Sequence, residues 1–311
     1  MSDTIAITGV NGFVGEHLAR NLKQQGFIVL GIGREPVLND WVKDLVEDYQ
    51  IADLMDAAST AKLDISGVSA IIHLAGFASV ADSFKHPELY ETGNAKITGN
   101  VLQLALDQQM KGRVVVISSG ALYDPMQPLP INEDSKTVDN SPYAVGKLRA
   151  EEITRQYIEK GVDAVIVRPF NHIGPHQAPG FLIPDLYEQL AEIEKSGSKQ
   201  IKVGNLTTKR DYTDARDVVR AYSLLAMADS LQYDLYNVAS GESHAGTEVL
   251  DALKNAMGLT DVETIVDPEK IRPSDVMDII GDASRLRNEL GWKPESTIVT
   301  AINDFVAAKK A

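Results

Sequence analysis

The stretch ITGVNGFVGEHLA, residues 7–19, decides the fold. Its glycines form a G-x-x-G-x-x-G array that directly follows an apolar run and begins a helical pattern. Glycines so placed permit a tight turn and close backbone approach, so a pyrophosphate can lie at the helix N-terminus. Glycine-rich turns are common, but here strand, turn and helix follow in the required order. The stretch predicts a dinucleotide-binding turn, with candidate cofactor contacts Gly9, Asn11, Gly12, Phe13, Val14 and Gly15.

The rest of the first half repeats this strand–helix pattern. Runs that are apolar without alternation are typical of strands buried on both faces of a sheet. Such runs lie at 4–9, 27–32, 70–75, 113–118 and 163–168. Helix-length segments between them include 13–25, 88–109 and 142–160. Repeated strand–helix–strand units predict an α/β fold, with a doubly wound parallel sheet that carries helices on both faces.

Composition narrows the classes of partner. A chain of 311 residues can bury a large core. Its formal net charge of −14 argues against nucleic acid as the main partner, because nucleic-acid binding requires a basic surface, whereas a phosphorylated small molecule needs only a few local cations. The chain contains no cysteine, which excludes disulfides and cysteine-ligated zinc. The N-terminal sequence MSDTIAITG has neither a basic region nor a long apolar run, so we expect a cytoplasmic protein without membrane association.

The segment SPYAVGKLRAEE places Tyr143 and Lys147 one helical turn apart on one face. A free tyrosine, with a pKa of about 10, is a poor acid–base at neutral pH, but a nearby ammonium favours the phenolate. Because Y-x-x-x-K often arises by chance, its weight comes from its order after the glycine array and after a strand that ends in Ser118 and Ser119. We predict that Tyr143 transfers a proton, that Ser119 holds the reacting oxygen and that Lys147 tunes Tyr143. We expect Ser118 only to cap the junction between strand and loop.

Several further motifs follow in a fixed order. They are HLAG (73–76), SSGALY (118–123), RPFN (168–171), KRDYTDARDVVRAY (209–222), RPSDV (272–276) and LGWKP (290–294). With the glycine array and the Tyr143–Lys147 pair, they resemble the extended short-chain dehydrogenase/reductases, the nucleotide-sugar epimerases, dehydratases and reductases. The resemblance spans nearly the whole chain. The tract RPFNHIGPHQAPGFLIPDL (168–186) is most similar to members that act on GDP-mannose derivatives.

The resemblance implies two regions. Residues 1–170 are expected to form a Rossmann dinucleotide-binding domain, to which 211–239 returns. Residues 171–311 are expected to form a smaller α/β region that mainly binds the nucleotide sugar. The looser pattern after residue 170, with more proline and glycine, agrees with that division.

A nicotinamide cofactor is also implied. Gly33 stands where members that prefer NAD usually carry an acid, and Arg34 suits the 2′-phosphate of NADP(H). NADP(H) is therefore favoured, but Glu35 could restore NAD(H) binding, and Arg34 could be only a solvated loop cation. Asp53 is placed to accept from an adenine amino group, as would also be true of any exposed loop aspartate. The remaining candidate cofactor contacts are Leu54, Leu74, Ala75 and Gly76.

The resemblance supplies the candidate substrate contacts, which are Ser79, Asn171, Arg210 and Arg272. Asn171 resembles a family asparagine that contacts the sugar diphosphate. Arg210 and Arg272 resemble arginines that clamp the nucleotide and its phosphates, a task that suits a guanidinium. Asn94 resembles a position near the nicotinamide, although a buried amide without a role is nearly as compatible.

Two expectations concern metal and oligomeric state. The spacing of His172 and His176 would suit a metal site on a helix, but Gly174 and Pro175 prevent an ordinary helix there, so no metal is predicted. The segments 88–109 and 142–160 correspond to helices that form a four-helix dimer interface in the family. A homodimer is therefore expected by resemblance.

The chemically quiet positions Gly120, Ala121 and Leu122 separate two reactions. Dehydratases of this family carry a carboxylate just after the catalytic hydroxyl, at positions that here are Gly120 and Ala121. Neither residue can abstract a proton, so the expected reaction is NAD(P)H-dependent reduction of a GDP-linked 4-keto-6-deoxyhexose, with GDP-rhamnose as the first expected product. A 4-epimerase with tightly bound NAD is the alternative, which Arg34 disfavours. A non-catalytic scaffold would usually lack Tyr143 or Lys147.

Overall fold

Seven parallel strands form the main sheet of the computed structural model, which describes residues 3–271 and 276–310. They are β1 (Thr4–Thr8), β2 (Ile28–Gly33), β3 (Asp48–Ile51), β4 (Val68–His73), β5 (Arg113–Ile117), β6 (Ala164–Pro169) and β10 (Leu235–Val238). Their spatial order is β10-β6-β5-β4-β1-β2-β3, and every neighbouring pair is parallel. The predicted doubly wound sheet is confirmed, and the predicted strands differ from the observed ones by at most two residues at either end.

Helices connect these strands and continue through the second half. They are α1 (Phe13–Gln24), α2 (Ala57–Thr60), α3 (Val80–Ser83), α4 (Pro87–Asp107), α5 (Pro142–Glu159), α6 (Leu182–Ser196), α7 (Ala215–Met227), α8 (Gly246–Met257), α9 (Ser284–Leu290) and α10 (Ile298–Lys310). Gly26, with φ of 86°, follows the end of α1 in the left-handed conformation that glycine adopts without strain. Ser141 begins α5 by accepting a hydrogen bond from the backbone N–H of Ala144.

Both faces of the main sheet are buried. Because successive side chains of a strand point to opposite faces, one strand contributes to two apolar clusters. In β1, Ile5 and Ile7 pack in one apolar cluster with Leu18 of α1 and with residues of α7. Ala6 lies between them in sequence and packs in a second cluster with Leu102 of α4. The apolar run without alternation therefore corresponds to a strand covered on both sides.

The second half of the chain forms a region of its own and also adds elements to the main sheet. It forms two smaller sheets. One contains β7 (Asn171–Ile173), β9 (Lys209–Asp214) and β11 (Ser243–Ala245), and the other contains β8 (Gln200–Val203) and β12 (Glu263–Val266). A third apolar cluster joins α6, α8 and α10 through residues that include Leu190, Leu253 and Phe305. In contrast, α7 packs on α1, and β10 pairs with β6 of the main sheet. The chain thus returns to the first sheet after β9.

Within residues 3–271 and 276–310, no helix combines the length and the apolar composition that a membrane span requires.

Candidate active site

The glycine turn lies between β1 and α1 and touches the end of β4. Gly9 has φ of 73°, and a Cβ there would lie 3.0 Å from the backbone N and Cα of Ala75. A Cβ on Gly15 would lie 2.4 Å from the carbonyl oxygen of Val10, so α1 could not begin so close to the turn with any other residue there. Gly12 is the N-cap of α1 and has no side chain to accept from the first turn. Backbone N–H groups of that turn are thus left for a ligand, and the cradle fits a dinucleotide pyrophosphate.

The predicted Asn11 contact has a clear local function. Its side chain donates to the carbonyl of Val37 at 3.0 Å and accepts from the backbone N–H of Asn39 at 2.9 Å. The Asn39 side chain donates in return to the carbonyl of Asn11 at 3.0 Å. Asn11 therefore fixes the segment after β2 against the glycine turn, while its neighbours Phe13 and Val14 begin α1.

The HLAG motif, which contains the predicted contacts Leu74, Ala75 and Gly76, is tied to the glycine turn through β1. Backbone N–H groups of Leu74 and Ala75 donate to the carbonyl and hydroxyl oxygens of Thr8, each at 3.2 Å. Buried His73 contacts the same Thr8 hydroxyl at 2.7 Å. Burial lowers the pKa of His73 to about 3, and the charge of Lys147 adds to that shift, so the imidazole is neutral. Apart from its place in HLAG, His73 has no sequence signal that predicts this contact.

The predicted specificity residues lie at the end of β2. Arg34 is highly exposed, and its Nε lies 3.5 Å from a carboxylate oxygen of Glu35. A Cβ on Gly33 would lie 2.7 Å from the hydroxyl oxygen of Tyr49, which donates to the carbonyl of Glu35 at 2.8 Å. Tyr49 therefore occupies the space that an acidic side chain at position 33 would need. No local sequence pattern indicates this position of Tyr49, since only the pairing of β2 with β3 brings it there.

Two other predicted cofactor residues lie after β3. The Asp53 carboxylate is exposed and accepts from the backbone N–H of Met55 at 2.9 Å. The carbonyl of buried Leu54 accepts from the side chain of Asn100 on α4 at 2.8 Å. This turn is therefore held to α4.

Tyr143, Lys147 and Ser119 meet at the end of β5, as predicted. The Lys147 Nζ donates to the carbonyl of Ile117 at 2.8 Å, and the Tyr143 side chain hydrogen-bonds with Ser119. Burial lowers the pKa of Lys147 to about 8, against the opposing effect of Glu151. Burial raises the pKa of Tyr143, although the hydrogen bond with Ser119 opposes this. The pKa of Tyr143 is therefore shifted toward the neutral phenol, a proton donor, and not toward the phenolate that the Tyr143–Lys147 spacing predicts.

The cap at the junction after β5 is Ser119 rather than Ser118. Ser119, for which capping was set aside, caps the 3₁₀ turn Gly120–Leu122 by accepting from the backbone N–H of Ala121 at 3.1 Å. Ser118, expected to be the cap, is buried and donates to Glu151 Oε1 at 2.6 Å. The assignment of the cap to Ser118 was wrong, because Ser118 belongs to a buried polar cluster that α5 and β6 complete.

Positions 120 and 121 differ in the space that they leave for a side chain. A Cβ on Gly120 would lie 2.9 Å from the ring of Phe170, so no side chain fits there without displacing that ring. Ala121 is exposed. The stretch therefore contains no proton-abstracting group, and Phe170 excludes one at position 120.

Gly76 lies beside Asn94 and Lys147. A Cβ on Gly76 would lie 2.7 Å from Asn94 Oδ1 and 3.8 Å from Lys147 Nζ. Buried Asn94 accepts from the backbone N–H of Phe77 at 2.8 Å and donates to its carbonyl at 3.1 Å. Both of the side chain's polar groups are thus used to hold the segment after HLAG beside Lys147.

The substrate candidates occupy separate elements. Ser79 caps α3 by accepting from the N–H of Asp82 at 3.0 Å. Asn171 is exposed at the start of β7, where it pairs in register with Tyr212 of β9. Arg210, also on β9, donates to the carbonyl of Val276 at 2.8 Å. Arg272 lies outside the described residues.

The histidines that could suggest a metal have other contacts. His176 Nδ1 lies 2.5 Å from Glu16 Oε2, and His172 Nδ1 lies 3.1 Å from the carbonyl oxygen of Phe170. The His172 ring also stacks on Phe13, with centroids 6.0 Å apart. In the described part of the chain, no group of three or more His, Cys, Asp or Glu side chains is arranged to hold a metal ion. These contacts join α1 to the tract after β6.

Comparisons with known proteins agree over the full length. The family model described as GDP-mannose 4,6 dehydratase matches residues 6–305. GDP-6-deoxy-D-mannose reductase of Pseudomonas aeruginosa is 32% identical, over 99% of this chain and 97% of that protein. A GDP-mannose 4,6-dehydratase of Vibrio cholerae is 27% identical, over 97% of this chain and 92% of that protein.

Solved structures give the same picture. The structure of RMD from Pseudomonas aeruginosa complexed with NADPH has a TM-score of 0.83 and 31% identity, over 99% of this chain and 97% of that one. A UDP-glucose 4-epimerase from Bifidobacterium longum, in complex with NAD+ and UDP, has a TM-score of 0.85 at 24% identity, over 99% and 98% of the two chains. The second likeness establishes the fold alone.

Proposed function

The chain belongs to the GDP-mannose 4,6-dehydratase family of extended short-chain dehydrogenase/reductases, and from this premise we propose that it reduces the 4-keto group of a GDP-linked 4-keto-6-deoxyhexose with NADPH. It is an NAD(P)-dependent oxidoreductase rather than a dehydratase. The observation that carries this choice is the 3₁₀ turn after Ser119. That turn offers glycine and alanine where elimination needs a carboxylate, whereas Ser119, Tyr143 and Lys147 are assembled. The full-length similarity to a GDP-6-deoxy-D-mannose reductase supports the same choice.

The cofactor is held by the cradle at the start of α1 and by the end of β4. Gly9, Gly12 and Gly15 admit the pyrophosphate, and Gly76 leaves space beside Lys147. The bound nicotinamide supplies the hydride that reduces C4. Exposed Arg34 binds the 2′-phosphate of NADP(H), which a guanidinium recognises well. NAD(H) lacks that phosphate and is the weaker cofactor. The solved relative with NADPH supports this order.

The proton comes from this chain. Tyr143 donates its phenolic proton to the oxygen that forms at C4, which is a step that needs the neutral phenol favoured by burial. Ser119 hydrogen-bonds the same oxygen and fixes its position. Lys147, held by the carbonyl of Ile117, places a positive charge beside the phenolate that remains. The three residues thereby stabilise the charge that develops during proton transfer.

Substrate binding uses mainly the second half of the chain. Asn171, Arg210 and Arg272 contact the diphosphate and nucleotide, and Ser79 contributes a further substrate contact from the first half. Cations are needed locally, because a net charge of −14 repels a GDP-sugar. The product is a GDP-6-deoxyhexose, with GDP-rhamnose as the first candidate. Two copies of the chain pair through α4 and α5.

The test is nicotinamide oxidation, followed optically, with GDP-4-keto-6-deoxymannose generated in place by a separate dehydratase. We expect NADPH to be oxidised faster than NADH. Tyr143→Phe, which lacks the proton donor, should lose about 10²-fold or more in kcat. Absence of oxidation with either cofactor would contradict the reductase. Tightly held NAD in the purified protein would then favour the epimerase, and release of a 4-keto sugar from GDP-mannose would favour the dehydratase.

A further inference from the structure

Glu151 lies on α5 one turn after Lys147 and two turns after Tyr143, so the three residues share one side of the helix. Its side chain is about 1% exposed. One carboxylate oxygen accepts from Ser118 Oγ at 2.6 Å and from Arg168 Nε at 2.8 Å. The other accepts from Arg168 Nη2 at 2.6 Å. The reaction proposed above makes no use of this cluster.

Ser118 is the centre of the strand end that the reaction does use. The carbonyl of the preceding residue, Ile117, accepts from Lys147, and the side chain of the following residue, Ser119, bonds with Tyr143. The Ser118 backbone N–H donates to the carbonyl of Val167 on β6 at 2.7 Å. Anchoring the Ser118 hydroxyl therefore fixes the positions of the two groups that hold Lys147 and Tyr143.

Stability alone does not account for a carboxylate at this position. Removing a carboxylate from water costs several kcal/mol, and well-packed apolar residues often replace buried ion pairs without loss of stability. An apolar side chain at position 151 could join α5 to β5 and β6, but it could neither orient the Ser118 hydroxyl nor face an ammonium with negative charge.

Cationic side chains from α5 and β6 lie close to Glu151. Arg155 on α5 lies 3.5 Å from its second carboxylate oxygen, and Arg168 on β6 pairs with both. Lys147 on α5 is a further cation that interacts with Glu151, and buried His73 on β4 faces that lysine as a neutral ring. The negative charge of Glu151 acts against the burial that disfavours the Lys147 ammonium.

We propose that Glu151 is a positioning residue for the reduction: it fixes the end of β5 through Ser118 and supplies the negative charge that faces the Lys147 ammonium. This inference rests on the proposed function for its kinetic consequences. Its structural consequence, the charge state of Lys147, can be measured whatever the substrate is.

The first variant is Glu151→Gln, with Glu152→Gln, an exposed glutamate on the same helix, as the matched control. We expect Glu151→Gln to lower kcat about tenfold, with KM nearly unchanged, and to move the alkaline limb of the kcat profile to lower pH. The direction follows because Lys147 loses its proton at lower pH once the facing anion is gone. The control should match the native protein.

Because Glu151→Gln leaves the Arg168 charge buried without its partner, it could fail to fold. Ser118→Ala keeps the ion pair and removes only the anchor, so it should lower kcat several-fold and leave the alkaline limb in place. Unchanged kcat in Ser118→Ala would overturn the anchoring part, and an unmoved limb in folded Glu151→Gln would overturn the electrostatic part.

An NMR titration of protein with ¹³C-labelled lysine tests the inference about Glu151 independently of the proposed function. The midpoint of the Lys147 titration should shift to lower pH in Glu151→Gln and should be unchanged in Glu152→Gln. If the native protein reduces no keto sugar, the proposed function fails, yet this titration still tests Glu151. An unchanged Lys147 titration in a folded Glu151→Gln protein overturns the inference about its charge.

Discussion

We expect the charge of Lys147 to limit the pH range of the proposed reaction. Burial lowers the pKa of this lysine to about 8, so the ammonium predominates below that pH and is lost above it. Tyr143 stays neutral through this range, because burial raises its pKa. We therefore expect kcat/KM for the reduction to fall as the pH rises past about 8, measured at constant ionic strength.

Lys147→Arg provides the control for this alkaline limb, the fall of kcat/KM above about pH 8. A guanidinium stays charged throughout the accessible range, so this variant should be slower at neutral pH but should lose the limb near pH 8. If the limb remains at the same pH in Lys147→Arg, another group is responsible and the role given to the lysine is wrong.

At the scale of elements, the start of α1 depends on Gly15. A Cβ there would lie 2.4 Å from the carbonyl oxygen of Val10 and 2.7 Å from that of Gly9, which are backbone atoms that cannot rotate away. Although alanine favours helix, we expect Gly15→Ala to lower the free energy of unfolding by about 1–3 kcal/mol. It should also weaken NADPH binding, because α1 must move away from the turn. Denaturant unfolding and fluorescence titration measure the two effects.

Gly99→Ala is the matched control. This glycine lies within α4, and a Cβ there would make an ordinary contact, 3.6 Å from Ile153 Cγ2. Stability should be unchanged or higher by up to about 1 kcal/mol, since alanine is the better helix former. Equal losses in both variants would contradict the argument from the turn.

Local sequence predicted the main elements, and it singled out three candidate catalytic residues that the fold brings together, because these signals are periodic or contiguous. The runs that became β1 and β5 needed only burial on both faces, and Tyr143 and Lys147 needed only helical spacing. Contacts between residues that are far apart in the sequence leave no periodic or contiguous pattern. The bond from Ser118 to Glu151 and the Tyr49 hydroxyl against Gly33 depend on how α5, β5, β2 and β3 pack. That Ser119 rather than Ser118 caps the turn after β5 has the same origin.

At the scale of the whole molecule, the proposed dimer makes a sharp prediction. Light scattering should give a mass close to twice 33.8 kDa at micromolar concentration. Leu89, about 39% exposed on α4, is an apolar side chain that pairing through α4 and α5 would cover. Leu89→Asp should weaken dimerisation at least about tenfold, which corresponds to ~1.4 kcal/mol, because it places a charge in the interface.

Val299→Asp makes the same charge change on α10, where Val299 is about 52% exposed and far along the chain from α4 and α5. It should leave the dimer intact, so the comparison isolates position from added charge. A native protein that is monomeric would contradict the dimer. Equal weakening by both substitutions would instead indicate that added negative charge, on a chain that already carries −14, drives the copies apart.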